Sequence, residues 1–396
     1  MSLDDFDKVD KDEEKEVLRE LNEKNKKYHD DLPVCESLNI SKDEWSKLKK
    51  EKTGSEIRDY LVDIIRKNDI PPPYTPYIID EIKESYEKMK NFNTKELFTS
   101  EEYYIKHPIK EEWNKPMGIM LKMNNTGNKS SNYFHQKSRF KASSSVADSV
   151  EFTWNYDKLL RRTLKALWSL KIDRVNYSTL QTIIQLRGYI PSQFKPVVAK
   201  AIYDYFEAES TFDMSMGWGD RIAGFSASKY GEYYYGADPS TVTFQDYKKQ
   251  IEFYNDGKKY DLYNLPAESL TEEPKEVIDL AFSSPPYFTK EHYSNDPNQS
   301  WKKYPQLFYW IRDFLLKSID YQWKFIKSGG TMIVNISDVY INGEWNVICD
   351  PMNDHISKYN DSEYVGHMGM KMAKRPNVHS AQDGNFAEPM WVWRKK

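Results

Sequence analysis

A short motif, one polar residue followed by two prolines and an aromatic residue, has the clearest chemistry in this sequence. It is Ser284-Pro285-Pro286-Tyr287, and it directly follows residues 277–283, an apolar run typical of a buried strand. The two prolines remove two backbone donors and fix φ, so the local carbonyl oxygens face outward as rigid acceptors. Ser284 adds an acceptor, and Tyr287 provides a ring on which a base can stack, a contact worth about 1–3 kcal/mol. The motif therefore suits a flat group that carries an exocyclic amine, such as a nucleobase.

Three earlier strand candidates end in residue types that can bind a nucleoside. The first is followed by a glycine turn with Gly217 and Gly219, where the backbone can approach a ligand closely. The second ends at Asp238, followed by Pro239, and such a carboxylate can accept both hydroxyls of a ribose. The third is followed by Glu268, which can accept from an adenine amino group. Because ligands bind at the carboxyl ends of parallel strands, these residues and the Ser-Pro-Pro-Tyr motif should surround one site.

Alternating strands and helices must position these residues. Strand candidates occur at residues 211–215, 233–238, 260–264, 277–283, 331–337, 364–371 and 389–394. Helical patterns separate several of them, notably residues 243–253 and the long run 306–327, which should stop at the Ser-Gly-Gly of residues 328–330. This alternation predicts an α/β fold with a mainly parallel sheet that helices cover on both faces.

The part of the chain before residue 151 has a different texture. Residues 1–40 are dense in Asp, Glu and Lys, which predicts a charged arm that is solvated or disordered. Residues 41–150 predict a helical accessory region, in which Ile57 and Leu61 share an apolar helix face. Residues 151–396 then form the larger α/β domain.

Within the accessory region, residues 122–145 are rich in Asn and Ser and predict a basic loop. Its cations Lys137, Arg139 and Lys141 are interleaved with aromatic residues, and no acidic residue occurs there. Two interpretations stay open: a loop that contacts phosphates and stacks on bases, or an ordinary polar linker. Residues 342–382 are a second candidate for target recognition. Their basic side chains include Lys371, Lys374, Arg375 and His379.

Composition and charge exclude several classes of protein. The formal net charge of −4 argues against a surface that is basic throughout, so any nucleic-acid contact must be local. The only cysteines, Cys35 and Cys349, form no CxxC pair, which predicts neither a disulfide framework nor a zinc site. No signal peptide or apolar run of membrane-spanning length is evident. We expect a soluble intracellular protein without a metal ion or a membrane partner.

The order of the motifs resembles that of class I S-adenosylmethionine-dependent amino-methyltransferases, especially those that methylate exocyclic amines of adenine or cytosine in DNA. The resemblance covers roughly residues 190–396. The Gly-Trp-Gly-Asp-Arg form of the turn is similar to uncharacterised methyltransferase-like proteins of large DNA viruses and phages. The resemblance implies a Rossmann-like, mainly parallel seven-stranded sheet, S-adenosyl-L-methionine as cofactor, and DNA rather than RNA as partner. For a viral protein it also implies the host cytoplasm.

Roles for individual residues follow from this resemblance. Catalysis is implied for Ser284, Pro285, Pro286 and Tyr287. Cofactor contacts are implied for Phe194, Lys195, Asp213, Ser215, Gly217, Gly219, Asp220, Arg221, Asp238, Pro239 and Glu268. Substrate or nucleic-acid contacts are further expected from Phe288, His292, Asp338, Lys137, Arg139 and Lys141. For His292 we expect a surface hydrogen bond rather than a role as general base.

The sequence departs from the family pattern in two places and leaves alternatives open. The usual Asp-Pro-Phe-x-Gly-x-Gly begins here with Asp213-Met214-Ser215, and Ser284 stands where Asp is frequent, so adenine and cytosine both remain candidates. An RNA base or a protein glutamine amide is an alternative substrate, although the protein enzymes prefer Asn at the first motif position. A catalytically silent subunit that binds nucleic acid is the alternative from another class. The recognition sequence, the oligomeric state and a restriction partner are not specified.

Overall fold

A computed structural model describes residues 38–105, 109–271, 276–341, 343–372 and 384–396. Most of the predicted charged arm lies outside these ranges, as do Cys35, Lys374, Arg375 and His379. Among the described helices, none combines the length and the apolar character that crossing a membrane requires.

The strands are numbered in chain order. They are β1 (Asn39–Ile40), β2 (Phe98–Thr99), β3 (Tyr103–Tyr104), β4 (Pro116–Leu121), β5 (Ser143–Ser144), β6 (Val175–Asn176), β7 (Ser210–Asp213), β8 (Tyr233–Ala237), β9 (Lys259–Tyr263), β10 (Ile278–Ser283), β11 (Glu291–His292), β12 (Ile326–Asn335), β13 (Val339–Ile341), β14 (Glu344–Asn346), β15 (Ser362–Lys371) and β16 (Asn385–Lys395).

The helices are given by their bounds. The α-helices are Lys42–Glu51, Gly54–Lys67, Ile79–Lys90, Asn128–Lys141, Val150–Asn155, Asp157–Thr163, Ala166–Ser169, Tyr177–Arg187, Pro196–Tyr205, Asp220–Ala227, Thr241–Tyr254, Ser300–Lys303, Leu307–Tyr309, Lys317–Phe325 and Cys349–Ile356. Short 3₁₀ helices are Thr94–Leu97, Glu111–Trp113 and Ala267–Ser269, and Trp310–Leu316 is a π-helix.

The chain divides into two compact units that are not continuous in sequence. One unit comprises the described residues up to Pro76 together with Arg139–Pro191, and the other comprises Tyr77–Ser138 and Ser192–Lys396. This division differs from the predicted boundary at residue 150, because the residues assigned to the accessory region are shared between the two units.

The first unit is helical. Three of its helices begin with capping boxes, in which Ser41 pairs with Glu44, Thr53 with Glu56 and Asn176 with Thr179, so backbone donors at these helix starts are satisfied. Its core is a cluster of buried apolar side chains. This cluster includes Trp45, Leu61, Trp154, Leu167 and Leu180.

The second unit is built on a ten-stranded sheet in the order β2-β4-β15-β16-β12-β10-β7-β8-β9, and β3 pairs with β16. Strands β9, β8, β7, β10 and β12 are parallel, whereas β16 runs antiparallel between β12 and β15. Met332 and Val334 belong to one apolar cluster and Ile333 to another, so the two cores lie on opposite faces of the sheet. The predicted α/β fold with a mainly parallel sheet is confirmed, but the sheet has ten strands and not the seven that the resemblance implies, because β2, β3 and β4 from the segment before residue 151 join it.

The strand order reverses beside β7. From β7 the chain adds β8 and β9 on one side, and it then returns to add β10 and β12 on the other side. In open α/β sheets, ligands bind outside the carboxyl ends of the strands at such a switch point. The glycine turn follows β7 and the Ser-Pro-Pro-Tyr motif follows β10, so the switch point places them side by side.

The structure corrects two predictions about helices. The predicted basic loop at residues 122–145 contains the helix Asn128–Lys141, whose polar side chains form hydrogen bonds in the fold that composition does not reveal. The long helix stops at Phe325, before the predicted Ser-Gly-Gly stop. Those residues instead belong to β12, where Gly329 has a φ of +80° beside a register shift in the pairing with β10.

Candidate functional site

A cavity of about 510 Å³ lies at the switch point, in the second unit. Many of the predicted site residues line it. They are Phe194, Lys195, Ser215, Gly217, Asp220, Arg221, Asp238, Pro239, Ser284, Pro285, Pro286 and Tyr287. The described residues contain no group of three or more His, Cys, Asp or Glu side chains that could hold a metal ion. Most of these lining residues belong to the turns that follow β7, β8 and β10.

A buried ion pair supports the glycine turn. Asp213, fully buried at the end of β7, accepts from Arg221 Nε at 2.7 Å and from Nη2 at 3.2 Å. The same carboxylate accepts from the Tyr234 hydroxyl at 2.8 Å and from the Ser215 N–H at 3.1 Å. Burial opposes the charge of Arg221, but the Asp213 carboxylate outweighs this effect and the pKa of Arg221 is raised. Asp213, expected to contact the cofactor, does not line the cavity and instead braces the turn.

Asp238 joins the ends of β7 and β8. Its Oδ2 accepts from the Gly217 N–H at 3.1 Å, and its Oδ1 accepts from the Ser240 N–H at 2.9 Å. The Tyr247 hydroxyl donates to the Gly217 carbonyl at 2.5 Å, which fixes the turn from the other side. Burial raises the pKa of Asp238 to about 6, although the two N–H donors favour its charged form. The carboxylate therefore lines the cavity in an orientation that the backbone has set in advance.

Gly219, expected to contact the cofactor, is not among the residues that line the cavity, and it packs against a clamp of two side chains, Gln250 and His135, that the sequence analysis did not identify. Gln250 Nε2 donates to the Gly219 carbonyl at 2.9 Å, and Gln250 Oε1 lies 2.8 Å from His135 Nε2. Both clamp side chains are fully buried. A Cβ added at Gly219 would lie 2.1 Å from Gln250 Oε1, and the residue has a φ of +70°. Only glycine fits at this position.

We expect Gly219→Ala to lower the free energy of unfolding by more than the roughly 1–2 kcal/mol that a left-handed backbone costs a residue with a Cβ. Gly257→Ala is the matched control, because Gly257 has a φ of +75° but nothing within 4 Å of an added Cβ. Urea unfolding of both variants separates the steric clash from the backbone strain. An equal decrease in the free energy of unfolding of the two variants would show that Gln250 and His135 move aside for the added Cβ with no loss of stability.

Asp220 connects the glycine turn with the segment before the helix Pro196–Tyr205. Its Oδ1 accepts from Ser131 Oγ at 2.5 Å and from Gln193 Nε2 at 2.6 Å. Phe194, next in the chain, lies beneath Arg221, whose guanidinium carbon is 5.7 Å from the ring centre. Asp220 and Phe194 thus border the cavity while binding its walls together.

The Ser-Pro-Pro-Tyr motif is anchored to the glycine turn through the residue before it. Ser283 Oγ accepts from the Met214 N–H at 2.8 Å, which links the ends of β7 and β10. After the motif the chain turns tightly, and the Pro286 carbonyl accepts from the Phe288 N–H at 3.2 Å. The Tyr287 carbonyl is likewise bonded to a following N–H. The motif therefore offers fewer outward carbonyl acceptors than its sequence predicts, because the turn itself uses two of them.

Two predicted site residues near this motif do not line the cavity. Glu268 Oε1 accepts from Lys303 Nζ at 3.0 Å and from the Tyr304 hydroxyl at 3.2 Å. Phe288 is buried and packs against Trp310, with ring centres 5.9 Å apart. Glu268 is therefore engaged by neighbouring side chains, and Phe288 is a core residue rather than a stacking surface.

His292 and Asp338 are also not among the residues that line the cavity. The His292 ring stacks on Trp301 at 4.1 Å, and burial lowers its pKa. Asp338 Oδ1 accepts from the backbone N–H groups of Ile348 at 2.6 Å and Cys349 at 2.8 Å. Asp338 thus binds backbone donors at the start of a helix, and its expected substrate contact stays a prediction.

The three cations of the predicted basic loop lie in the last turns of the helix Asn128–Lys141. Lys137, Arg139 and Lys141 are each partly exposed. Arg139 Nη2 donates to the Pro191 carbonyl at 2.7 Å, so this guanidinium has a structural partner. A phosphate contact by these residues stays a prediction.

No protein-family model matches the sequence, and no curated protein matches it. The tRNA (m1A58) methyltransferase TrmI from Aquifex aeolicus is similar with a TM-score of 0.31 and 14% identity, over 53% of this chain and 74% of that chain. An rRNA methylase from Streptococcus thermophilus gives 0.33 and 12%, over 52% of this chain and 99% of that chain.

A third solved structure is the O-methyltransferase TomG from Streptomyces achromogenes, in complex with SAM. It has a TM-score of 0.32 and 8% identity, over 52% of this chain and 82% of that chain. At such TM-scores these likenesses carry no weight for the function of this chain. The order of the strands and the residues that line the cavity are the basis for assigning a function.

Proposed function

We propose that this protein transfers a methyl group from S-adenosyl-L-methionine to an exocyclic amine of adenine or cytosine in DNA. The observation that carries the proposal is that the glycine turn, Asp238 and the Ser-Pro-Pro-Tyr motif line one cavity. The glycine turn and Asp238 suit the nucleoside of a cofactor, and the Ser-Pro-Pro-Tyr motif suits a planar amine. Transfer of a group from the cofactor to the amine needs both sets of residues side by side.

The residues of the turn fit the nucleoside half of the cofactor. A carboxylate has about four lone-pair positions. On Asp238 the backbone N–H groups of Gly217 and Ser240 use two of them, and the Tyr247 hydroxyl also contacts the carboxylate. The lone pairs that remain can accept from the hydroxyls of a ribose. The absence of a side chain at Gly217 lets the backbone approach the ligand. The bound cofactor supplies an electrophilic methyl group on a positively charged sulfur.

Ser284 and the Pro285 carbonyl act on the amine. An aromatic exocyclic amine is a poor nucleophile because its lone pair is delocalised into the ring. Ser284 Oγ and the Pro285 carbonyl accept hydrogen bonds from the two N–H groups of the amine. These contacts draw the nitrogen towards tetrahedral geometry and direct its lone pair at the methyl group. Such orientation can contribute about 7–11 kcal/mol in favourable systems. The methylated nitrogen is positively charged and then releases one proton to water, so a strong base is not needed beforehand.

Tyr287 holds the base by stacking. Its ring lines the cavity and is partly exposed there, next to the acceptors of Ser284 and Pro285. The amine of a base within a duplex cannot reach such a pocket, so the base must be flipped out or already single-stranded.

We expect the affinity for the cofactor to decrease when the pH is lowered through about 6, because burial raises the pKa of the Asp238 carboxyl to that value. The ionised form accepts from ribose hydroxyls, so protonation removes acceptors, and the dissociation constant should rise by at most about tenfold per pH unit. Calorimetric titration with S-adenosyl-L-methionine at several pH values measures this. Asp238→Asn should bind weakly at every pH and lose the dependence. A wild-type affinity that does not change across pH 6 would contradict the role of Asp238.

The proposal is tested in two steps. Calorimetry with S-adenosyl-L-methionine and with its demethylated product shows whether the cofactor binds. Transfer of a radioactive methyl group is then measured on unmethylated duplex DNA, the same DNA as single strands, and unmodified RNA. Methylation of adenine or cytosine in DNA supports the proposal, and methylation of RNA alone moves the activity to the alternative substrate. Cofactor binding without any transfer, or no binding by a folded sample, contradicts the proposed activity.

A further inference from the structure

Glu388 is a cavity residue that the sequence analysis did not identify. It lies on β16, which pairs antiparallel with β12 so that Met390 faces Asn335, the last residue of β12. Because β16 runs against its neighbour, its beginning lies at the edge of the sheet where β12 ends. Glu388 and Asn335 therefore both line the cavity, together with Tyr287.

Within the cavity, Glu388 contacts the hydroxyl of the proposed stacking residue Tyr287. The Tyr287 hydroxyl donates to Glu388 Oε1, and this is the hydrogen bond that the structure gives the phenol. Asn335 Nδ2 donates to the Pro389 carbonyl at 3.1 Å, which fixes the backbone next to Glu388. The side chain of Asn335 is buried, and its Oδ1 has no hydrogen-bond partner. The end of β12 and the beginning of β16 thus place the Glu388 carboxylate, a hydrogen-bond acceptor, beside the ring of Tyr287.

We infer that Glu388 is a positioning residue that fixes the ring of Tyr287, and thereby the plane of the bound base. This inference rests on the proposed function. Stacking alone would need only a phenyl ring, whereas the hydroxyl of Tyr287 has a partner from a distant part of the chain. A ring held at its far end loses little further freedom when the base binds, so orientation is set in advance.

The charged and titratable groups that act on Glu388 are Tyr287, Lys290 and Glu291, and Tyr293 acts on Tyr287. Lys290 Nζ lies over the Tyr287 ring, 5.6 Å from its centre, and Glu291 accepts from the Tyr293 hydroxyl. Burial raises the pKa of Glu388, while the Tyr287 hydroxyl and the charge of Lys290 oppose the rise. The anchor is strongest when Glu388 is ionised, so it weakens as the pH falls through this raised pKa.

A double-mutant cycle tests the inference. Glu388→Gln, Tyr287→Phe and the double variant are compared with wild type for methyl transfer to the DNA or RNA probe that the wild type methylates, with saturating S-adenosyl-L-methionine. Each single change should lower kcat/KM for the nucleic acid by about tenfold through lost orientation, with cofactor affinity unchanged. The double variant should lose no more than either single variant, since both remove one hydrogen bond. Glu388→Gln should also lose the decline of kcat at acid pH.

Controls separate this inference from the proposed function. Glu363→Gln changes an exposed glutamate on β15 and should leave transfer as in wild type. If Glu388→Gln fails to bind the cofactor, Tyr287→Phe alone decides, and full activity of that variant overturns the inference. Additive losses in the double variant overturn it as well, while the methyltransferase activity stands. A wild type that methylates none of the probes overturns both.

Discussion

Arg221→Met is expected to lower the free energy of unfolding by about 3–5 kcal/mol, because it leaves the Asp213 carboxylate buried without its counter-charge. The side chain of Asp213 is 0% exposed and that of Arg221 is 5% exposed, so water cannot replace the lost partner. The Tyr234 hydroxyl and the Ser215 N–H would remain, but neither carries a charge. Denaturant unfolding of the variant measures the loss.

Two further variants show whether the loss comes from the unpaired charge. Arg312→Met breaks the pair with Asp313, in which the Arg312 side chain is 54% exposed, and should cost at most about 1 kcal/mol. Asp213→Asn combined with Arg221→Met removes both charges and should recover part of the stability. A double variant as unstable as Arg221→Met would mean that packing and hydrogen bonds of the guanidinium matter more than its charge.

Part of the sheet was predictable because several of its strands are largely apolar runs. The strand predicted at residues 277–283 is Ile278–Ser283 in the structure, and the one predicted at 233–238 is Tyr233–Ala237. Both strands are mostly buried, and apolar runs are typical of strands that helices cover on both faces. The short strands β2 and β3 have two residues each, which is too short for a period to show.

The helix Asn128–Lys141 was missed for the opposite reason. Asn and Ser are abundant in it, and neither residue favours a helix interior. Tertiary hydrogen bonds stabilise it instead: Ser131 donates to Asp220, and His135 contacts Gln250. Those partners are separated from the helix by 89 and 115 positions, so no local pattern could reveal them.

The candidate site was predictable where one loop provides the chemistry and not where two distant segments must meet. The glycine turn and the Ser-Pro-Pro-Tyr motif are each continuous in sequence, and both line the cavity. Glu388 reaches the cavity only because β16 inserts between β12 and β15, a pairing order that composition does not specify. Asp213 carries the residue type of a ligand contact, yet a single Arg221 eight positions later turns it inward.

Tyr287→Ala is expected to lower methyl transfer by about 10- to 100-fold, which corresponds to the stacking energy of one base. Pro286→Ala should act in the same direction, because it restores a backbone N–H and frees φ in the turn that aims the acceptors. Neither change touches Asp238 or Gly217, so the dissociation constant for S-adenosyl-L-methionine should stay close to that of wild type. Single-turnover transfer and calorimetry of the same preparations give both quantities.

Asp238→Asn is the matched opposite of these variants. It keeps the size of the side chain near the Gly217 and Ser240 N–H groups but loses the charge that ribose hydroxyls would meet, so cofactor binding weakens first. Transfer at saturating cofactor should then recover towards wild type, whereas saturation cannot rescue Tyr287→Ala. If Tyr287→Ala and Pro286→Ala lost cofactor affinity as severely as Asp238→Asn, the cavity would not be divided into a cofactor half and a substrate half. In that case the motif after β10 would shape the whole pocket, and its role would be structural.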